Sequence, residues 1–195
     1  MSGPPAPDPP NRDMARDIVY FDLETQKSAN DVGGWGNKDQ MGMSIGVTYS
    51  TGQGKYIVYG EGQVEKLIDQ LRRADLVIGF NHIHFDYEVL MGYTILNLKE
   101  QIPSLDLMVD LEGPLGHRPK LEAVASASLG TGKTAVGTDA IKWWREGKIM
   151  QIAEYCAYDV KVTRMVHEYG ARNGFVKYVN RFNQEQDIPV NWTLD

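Results

Sequence analysis

Two β-rich runs, Met41–Ser50 (MGMSIGVTYS) and Lys55–Gly60 (KYIVYG), are joined by only four residues, Thr51-Gly52-Gln53-Gly54. So short a link cannot carry a crossover, and its two glycines suit a tight turn, so the runs must return antiparallel as a hairpin. Upstream, Asp17–Glu24 (DIVYFDLE) is β-branched and aromatic and reads as a strand. Downstream the pattern changes. Over Gly62–Arg73, Val64, Leu67, Ile68 and Leu71 fall at i, i+3, i+4 and i+7, one apolar helix face. Ala74–Phe80 (ADLVIGF) is a short apolar run that reads as a buried strand. A helix over about His84–Met91 and a short strand near Leu105–Val109 are predicted next. Further helices are predicted at 119–129, 139–146 and 149–172, the last with Ile149, Ile152, Cys156, Val160 and Thr163 as a mostly apolar stripe. Helical crossovers impose parallel neighbours, whereas the hairpin imposes antiparallel ones. The chain therefore predicts an α/β fold with one mixed sheet and helices on its faces.

At 195 residues there is room for one domain. The first fourteen residues (MSGPPAPDPPNRDM) carry five prolines and read as a disordered tail, leaving residues 15–182 as the domain and 183–195 as an extended C-terminal tail. No secretory signal pattern is present, no apolar run approaches the ~18 residues of a spanning helix, and one cysteine gives no disulfide framework. The expectation is a cytoplasmic, intracellular protein with no membrane contact. The net charge of −6 argues against gripping nucleic acid by bulk charge. Charge is uneven, however: residues 1–115 hold 9 basic and 17 acidic side chains, while residues 116–181 hold 11 and 6. A basic segment of that kind fits either polyanion contact or a solvated face.

Asp22 and Glu24 stand two apart on the first strand, so both point from one face. Two carboxylates on an otherwise apolar strand repel and resist desolvation unless a cation compensates. Asp86 follows the buried strand at 74–80, with Asn81 and Phe85 at N-x₃-F-D spacing. Asp159 lies on the last long helix with Tyr155 one turn before it, on the same face. Each motif alone is weak.

In this order, D-x-E, N-x₃-F-D and Y-x₃-D over residues 17–172 resemble the DEDD family of 3′–5′ exonucleases. The stretches LEAVASASLGTGK, WWREGK and EYCAYDV look most like exonucleases related to the proofreading domain of family B DNA polymerases. The resemblance implies an RNase H-like mixed five-stranded sheet flanked by helices. It implies that Asp22, Glu24, Asp86 and Asp159 hold two divalent ions, Mg²⁺ or Mn²⁺, and that Tyr155 marks the tyrosine subclass. Where the histidine subclass has His, five before the last Asp, this chain has Glu154. Oxygen donors alone suit hard cations, and two such ions can clamp the attacking and leaving oxygens of a phosphodiester. The implied activity is hydrolysis from the 3′ end of single-stranded DNA or RNA, with DNA favoured and a role in DNA repair. A polymerase or helicase partner is left open.

Thr25 matches a family position that touches the terminal nucleotide. Asn81 can hold the site's backbone or the substrate. Phe85 can stack on a base or pack in the core. Lys133, like Lys120, Arg145 and Lys148, can bind phosphate or solvate a surface. Gly33-Gly34-Trp35-Gly36 has room to border a cleft. Two other readings compete: a non-catalytic RNase H-like adaptor, and a phosphate-loop nucleotide-binding protein on ASLGTGKT at 127–134. A working phosphate loop follows a buried strand, whereas residues 120–129 look helical.

Overall fold

In a computed structural model of the protein, residues 16–130 and 139–194 are described. The Pro-rich stretch 1–14 and Lys133 lie outside the described residues.

A five-stranded sheet has the order β3-β2-β1-β4-β5. Its strands are β1 (Ile18–Thr25), β2 (Met43–Ser50), β3 (Lys55–Gly60), β4 (Leu76–Gly79) and β5 (Ser104–Asp106). The glycine-rich link does turn β2 back antiparallel onto β3, and β1 runs antiparallel to β2. β4 pairs parallel with β1 and β5 parallel with β4, each after a helical crossover. The helices are α1 (Val64–Arg73), α2 (Asp86–Leu90), α3 (Leu98–Gln101), α4 (Leu107–Leu115), α5 (Leu121–Leu129), α6 (Ala140–Arg145) and α7 (Ile149–Asn173). This is the mixed, helix-flanked sheet that the pattern predicts, with the five strands that the resemblance implies.

β1 shows how the two layers form. Its alternation sends Val19, Phe21 and Leu23 to a core shared with Leu67, Leu71, Tyr87 and Leu90 of α1 and α2. Ile18 and Tyr20 point the other way, into a core with Ile152, Cys156, Val160 and Val166 of α7. Asp22 and Glu24 continue that second face. On β2, Gly46 is paired with Leu23, and a Cβ there would stand 2.7 Å from Leu67. Glycine there lets the Leu67 side chain of α1 lie against the sheet without shifting.

Three local expectations differ. The strand expected near Leu105–Val109 ends at Asp106, and α4 starts at once. The Asp106 carboxylate accepts the amides of Met108 (3.1 Å) and Val109 (3.4 Å), capping the helix and ending the strand. α3 has no counterpart in the sequence reading. Third, the segment read as an extended tail carries β7 (Glu185–Pro189), paired with β6 (Phe175–Val179). Beyond it Trp192 is buried, stacks on His167 and donates to Asp110 Oδ2 at 2.7 Å. It fills a slot on α7 where a Cβ on Gly170 would come within 2.4 Å. β7 is mostly exposed and polar, which hid it, but Ile188, Val190 and Trp192 are all buried at period two. Among the described residues no helix is long and apolar enough to cross a membrane.

Candidate metal centre

The site lies where β1 outlasts its neighbour. β4 pairs only with Ile18–Tyr20, whereas β1 continues to Thr25. Past Tyr20, β1 therefore has backbone groups the sheet does not use. The Leu23 amide, between Asp22 and Glu24, donates to Asp86 Oδ1 at 2.9 Å. Asp86, the first residue of α2, is thus buried against β1. A register shift between Glu24 and Thr25 ends the regular β1–β2 ladder beside the carboxylates. From the opposite side α7 packs on β1 and brings Asp159. Asp22, Glu24 and Asp159 each offer an oxygen within 4.8 Å of the others. Among the described residues this is the one such group of three or more His, Cys, Asp or Glu.

Three of the four predicted carboxylates therefore meet directly. Asp86 stands beside them, with one oxygen committed to the Leu23 amide, and its charge acts on Asp22. Tyr155 hydrogen-bonds Asp159 one turn on and packs edge-on against Trp143, ring centroids 6.0 Å apart.

The electrostatics record a charge problem. Burial, then Asp86, Asp159 and Glu24, push the Asp22 carboxyl well above the usual range. Burial and then the Asp159 and Asp86 charges raise Glu24 to about 8. Burial lifts Asp86 to about 7 against the pull of the Leu23 amide, and lifts Asp159 to about 6 against its bond from Tyr155. None of the salt bridges among the described residues involves these four groups. Burial and the adjoining carboxylates also push the Tyr155 phenol up, so it stays protonated across the neutral range. A cation held among these carboxylates would relieve their repulsion.

A cleft of about 540 Å³ opens over the carboxylates, lined in part by Thr25, Lys27, Trp35, Asn81, Phe85 and Ile141. Thr25 is nearly buried, and its hydroxyl donates to the Lys27 carbonyl at 2.9 Å. Asn81 has a left-handed φ of 70°. Phe85 meets Trp35 edge to face, centroids 6.3 Å apart, and Trp35 is 67% exposed. Arg145 of α6 reaches across the sequence to Asp31 at 3.0 Å, tying α6 to the loop that carries Trp35. Arg145 and Lys148, left open from sequence between phosphate contact and a solvated surface, are ion-paired, Arg145 with Asp31 and Lys148 with Glu146. Lys120 lines a separate surface groove.

Sequence reasoning missed two supporting groups. Cys156, read as core, is fully buried, yet its thiol donates to the Asp22 carbonyl and to Asp22 Oδ2, both at 3.3 Å. Its place one residue after Tyr155, on the apolar stripe facing β1, was the available signal. Asp106 received no role at all. As for the phosphate-loop alternative, Ala127–Leu129 are the end of α5, and Gly130 caps it with φ 65°. A helix, not a strand, precedes the glycines, and residues 131–134 lie outside the described residues.

No family model and no curated protein matches the chain. Among solved structures it is similar to the family B DNA polymerase from the hyperthermophilic archaeon Pyrobaculum calidifontis. The two are 17% identical with a TM-score of 0.58, over 87% of this chain and 25% of that one. The chain thus spans about a quarter of that polymerase's length, and the likeness shows a shared fold.

Proposed function

We propose that this protein is a metal-dependent 3′–5′ exonuclease of the DEDD tyrosine subclass, acting on single-stranded nucleic acid, with DNA favoured over RNA. One observation carries the reading: Asp22, Glu24 and Asp159 converge on one point, with Asp86 beside them and no salt bridge to any of the four among the described residues. An adaptor module gains nothing from such repulsion. The fold is shared with a DNA polymerase, which is compatible with a nucleic-acid substrate.

The donor set fits Mg²⁺ or Mn²⁺. All the groups are carboxylate oxygens, and no His or Cys joins the cluster as a ligand among the described residues. Asp22, Glu24 and Asp159 would hold the ions, with Asp86 beside them as a ligand to a second one. Held by these carboxylates, two divalent ions would supply Lewis-acid chemistry, lowering the pKa of water toward neutral and offsetting charge on a phosphodiester.

The chain's own residues do the rest. Tyr155 keeps its proton and donates it to Asp159, so its phenol oxygen is left to accept from the attacking water, which suits orienting that water and not abstracting its proton. Cys156 holds Asp22 in one rotamer from behind. The exposed Trp35 and its partner Phe85 offer an aromatic wall to a terminal base, where a stacked face is worth about 1–3 kcal/mol. Thr25 and Asn81 line the same cleft and can meet sugar or base edges. The proposed partner is a free 3′ end, with a polymerase or helicase as an associated factor.

Digestion of 5′-labelled and 3′-labelled single strands, DNA and RNA in parallel, with Mg²⁺, Mn²⁺ or EDTA, tests the reading. Stepwise loss from the 3′ end, abolished by EDTA and by Asp22→Ala or Asp159→Ala with the fold retained, is the expected result. Internal cuts, activity that survives EDTA, or full activity in either variant would overturn it.

A further inference from the structure

We infer that Asp106 is a positioning residue for the metal centre: it clamps the 81–83 turn, and through that turn sets Asp86 against β1. The inference rests on the metal-centre reading above and concerns a residue outside the D-x-E, N-x₃-F-D and Y-x₃-D motifs.

Asp106 is the last residue of β5 and is almost completely buried. A buried carboxylate must be satisfied, and this one collects backbone donors from two directions. On one side Oδ1 takes Met108 and Val109, the first turn of α4. On the other, Oδ1 takes the Asn81 amide at 2.7 Å and Oδ2 takes the Ile83 amide at 3.0 Å. The Asn81 and Val109 bonds mark the short and long ends of this set, so the turn is held more tightly than the helix. His82, between the two clamped amides, is fully buried with its Nδ1 3.5 Å from Oδ2.

The clamped turn is not one the chain adopts freely. Asn81 sits at φ 70°, a region L-residues rarely occupy and that persists only when its surroundings hold it. Its carbonyl accepts the amides of His84 and Phe85, and the His82 carbonyl accepts Tyr87. The turn therefore fixes where α2 begins, and α2 begins with Asp86. Asp86 then accepts the Leu23 amide between Asp22 and Glu24. The path Asp106, 81–83 turn, Asp86, Leu23 is hydrogen-bonded at each end and covalent between. A helix cap alone has no need of the two contacts to the turn.

Asp106→Asn separates the two duties. Asn caps helices as well as Asp does, so its carbonyl can keep Met108 and Asn81. Its amide group then faces the Ile83 amide, donor against donor, and that clamp is lost. The experiment compares wild type and Asp106→Asn, full chain, by backbone amide hydrogen exchange, by Mn²⁺ titration calorimetry, and by nuclease kinetics. Expected are about tenfold or greater loss of protection at Leu23 and Ile83, with Met108 and Val109 unchanged. Mn²⁺ affinity should fall by about tenfold, and kcat should fall with KM within about threefold. Unchanged Leu23 protection together with unchanged Mn²⁺ affinity overturns the inference. Should the variant lose protection at α4 as well, wild-type exchange in rising urea decides instead. Leu23 and Ile83 must then open as one unit, and separate opening overturns the inference. A wild type with no nuclease activity would sink the exonuclease reading, while the exchange and Mn²⁺ arms would still decide the role of Asp106.

Discussion

Glu24→Gln should make the metal-free protein more stable at alkaline pH while destroying its response to metal. Burial and the Asp159 and Asp86 charges raise Glu24 from 4.5 to about 8 in the folded chain. A carboxyl whose folded value lies above its unfolded value binds its proton more tightly when folded. Its contribution to stability is therefore complete below about pH 4.5 and is lost as pH rises through about 8. At 1.36 kcal/mol per unit the full difference approaches 5 kcal/mol, and relaxation of the neighbouring charges reduces it to about 2–4 kcal/mol. Gln keeps the shape and carries no charge, so at pH 8.5 in EDTA the variant should gain about that much. For a domain of this size the gain corresponds to a Tm higher by roughly 5–15 °C. At pH 5 the two proteins should melt within a few degrees of each other. Comparing variant and wild type at one pH cancels His82 and His167, which burial lowers to about 4 in both. Added Mn²⁺ should reverse the order at pH 8.5, because only the wild type keeps all its charged donors. Scanning calorimetry at the two pH values, with EDTA or Mn²⁺, reads all four quantities. A variant no more stable than wild type at pH 8.5 in EDTA would refute the reasoning, since the carboxylates would then not be in conflict.

Two further outcomes follow from packing. Trp192→Ala removes the ring stacked on His167, vacates the slot over Gly170 and leaves Asp110 without its indole donor. Urea unfolding should show a loss of about 3–5 kcal/mol. Gly92→Ala would set a Cβ 2.0 Å from the Asp39 carbonyl, forcing the turn at 38–40 away from the end of α2. That turn follows the loop bearing Trp35, so KM for a single strand should rise at least threefold with kcat little changed, measured on the same labelled substrates.

Much of this molecule is legible without coordinates, for identifiable reasons. β1 to β3 and α1 announce themselves because their signals are local: alternation, a glycine-rich link, one apolar face. The D-x-E pair is legible because period two puts Asp22 and Glu24 on one face whatever else happens. What stays hidden depends on partners remote in sequence. Asp106 looks like part of an apolar strand, and only the arrival of the 81–83 turn beside it adds two amides to the two its carboxylate takes from α4. Cys156 is an ordinary core residue until Asp22 lies under it. β7 is polar and mostly exposed, so its pairing with β6 outweighs its composition, and only Ile188, Val190 and Trp192 betray it.

The separation of Asp22–Glu24 from Asp159 also has a temporal side. During synthesis the first strand emerges well before the helix that completes the cluster. Until α7 docks, the β1 carboxylates remain partly wetted and need no cation. Docking dries them and creates the demand for one. Metal capture and closure of the α7 layer should therefore be a single event, and a chain that stops short of this helix should hold no ion at β1.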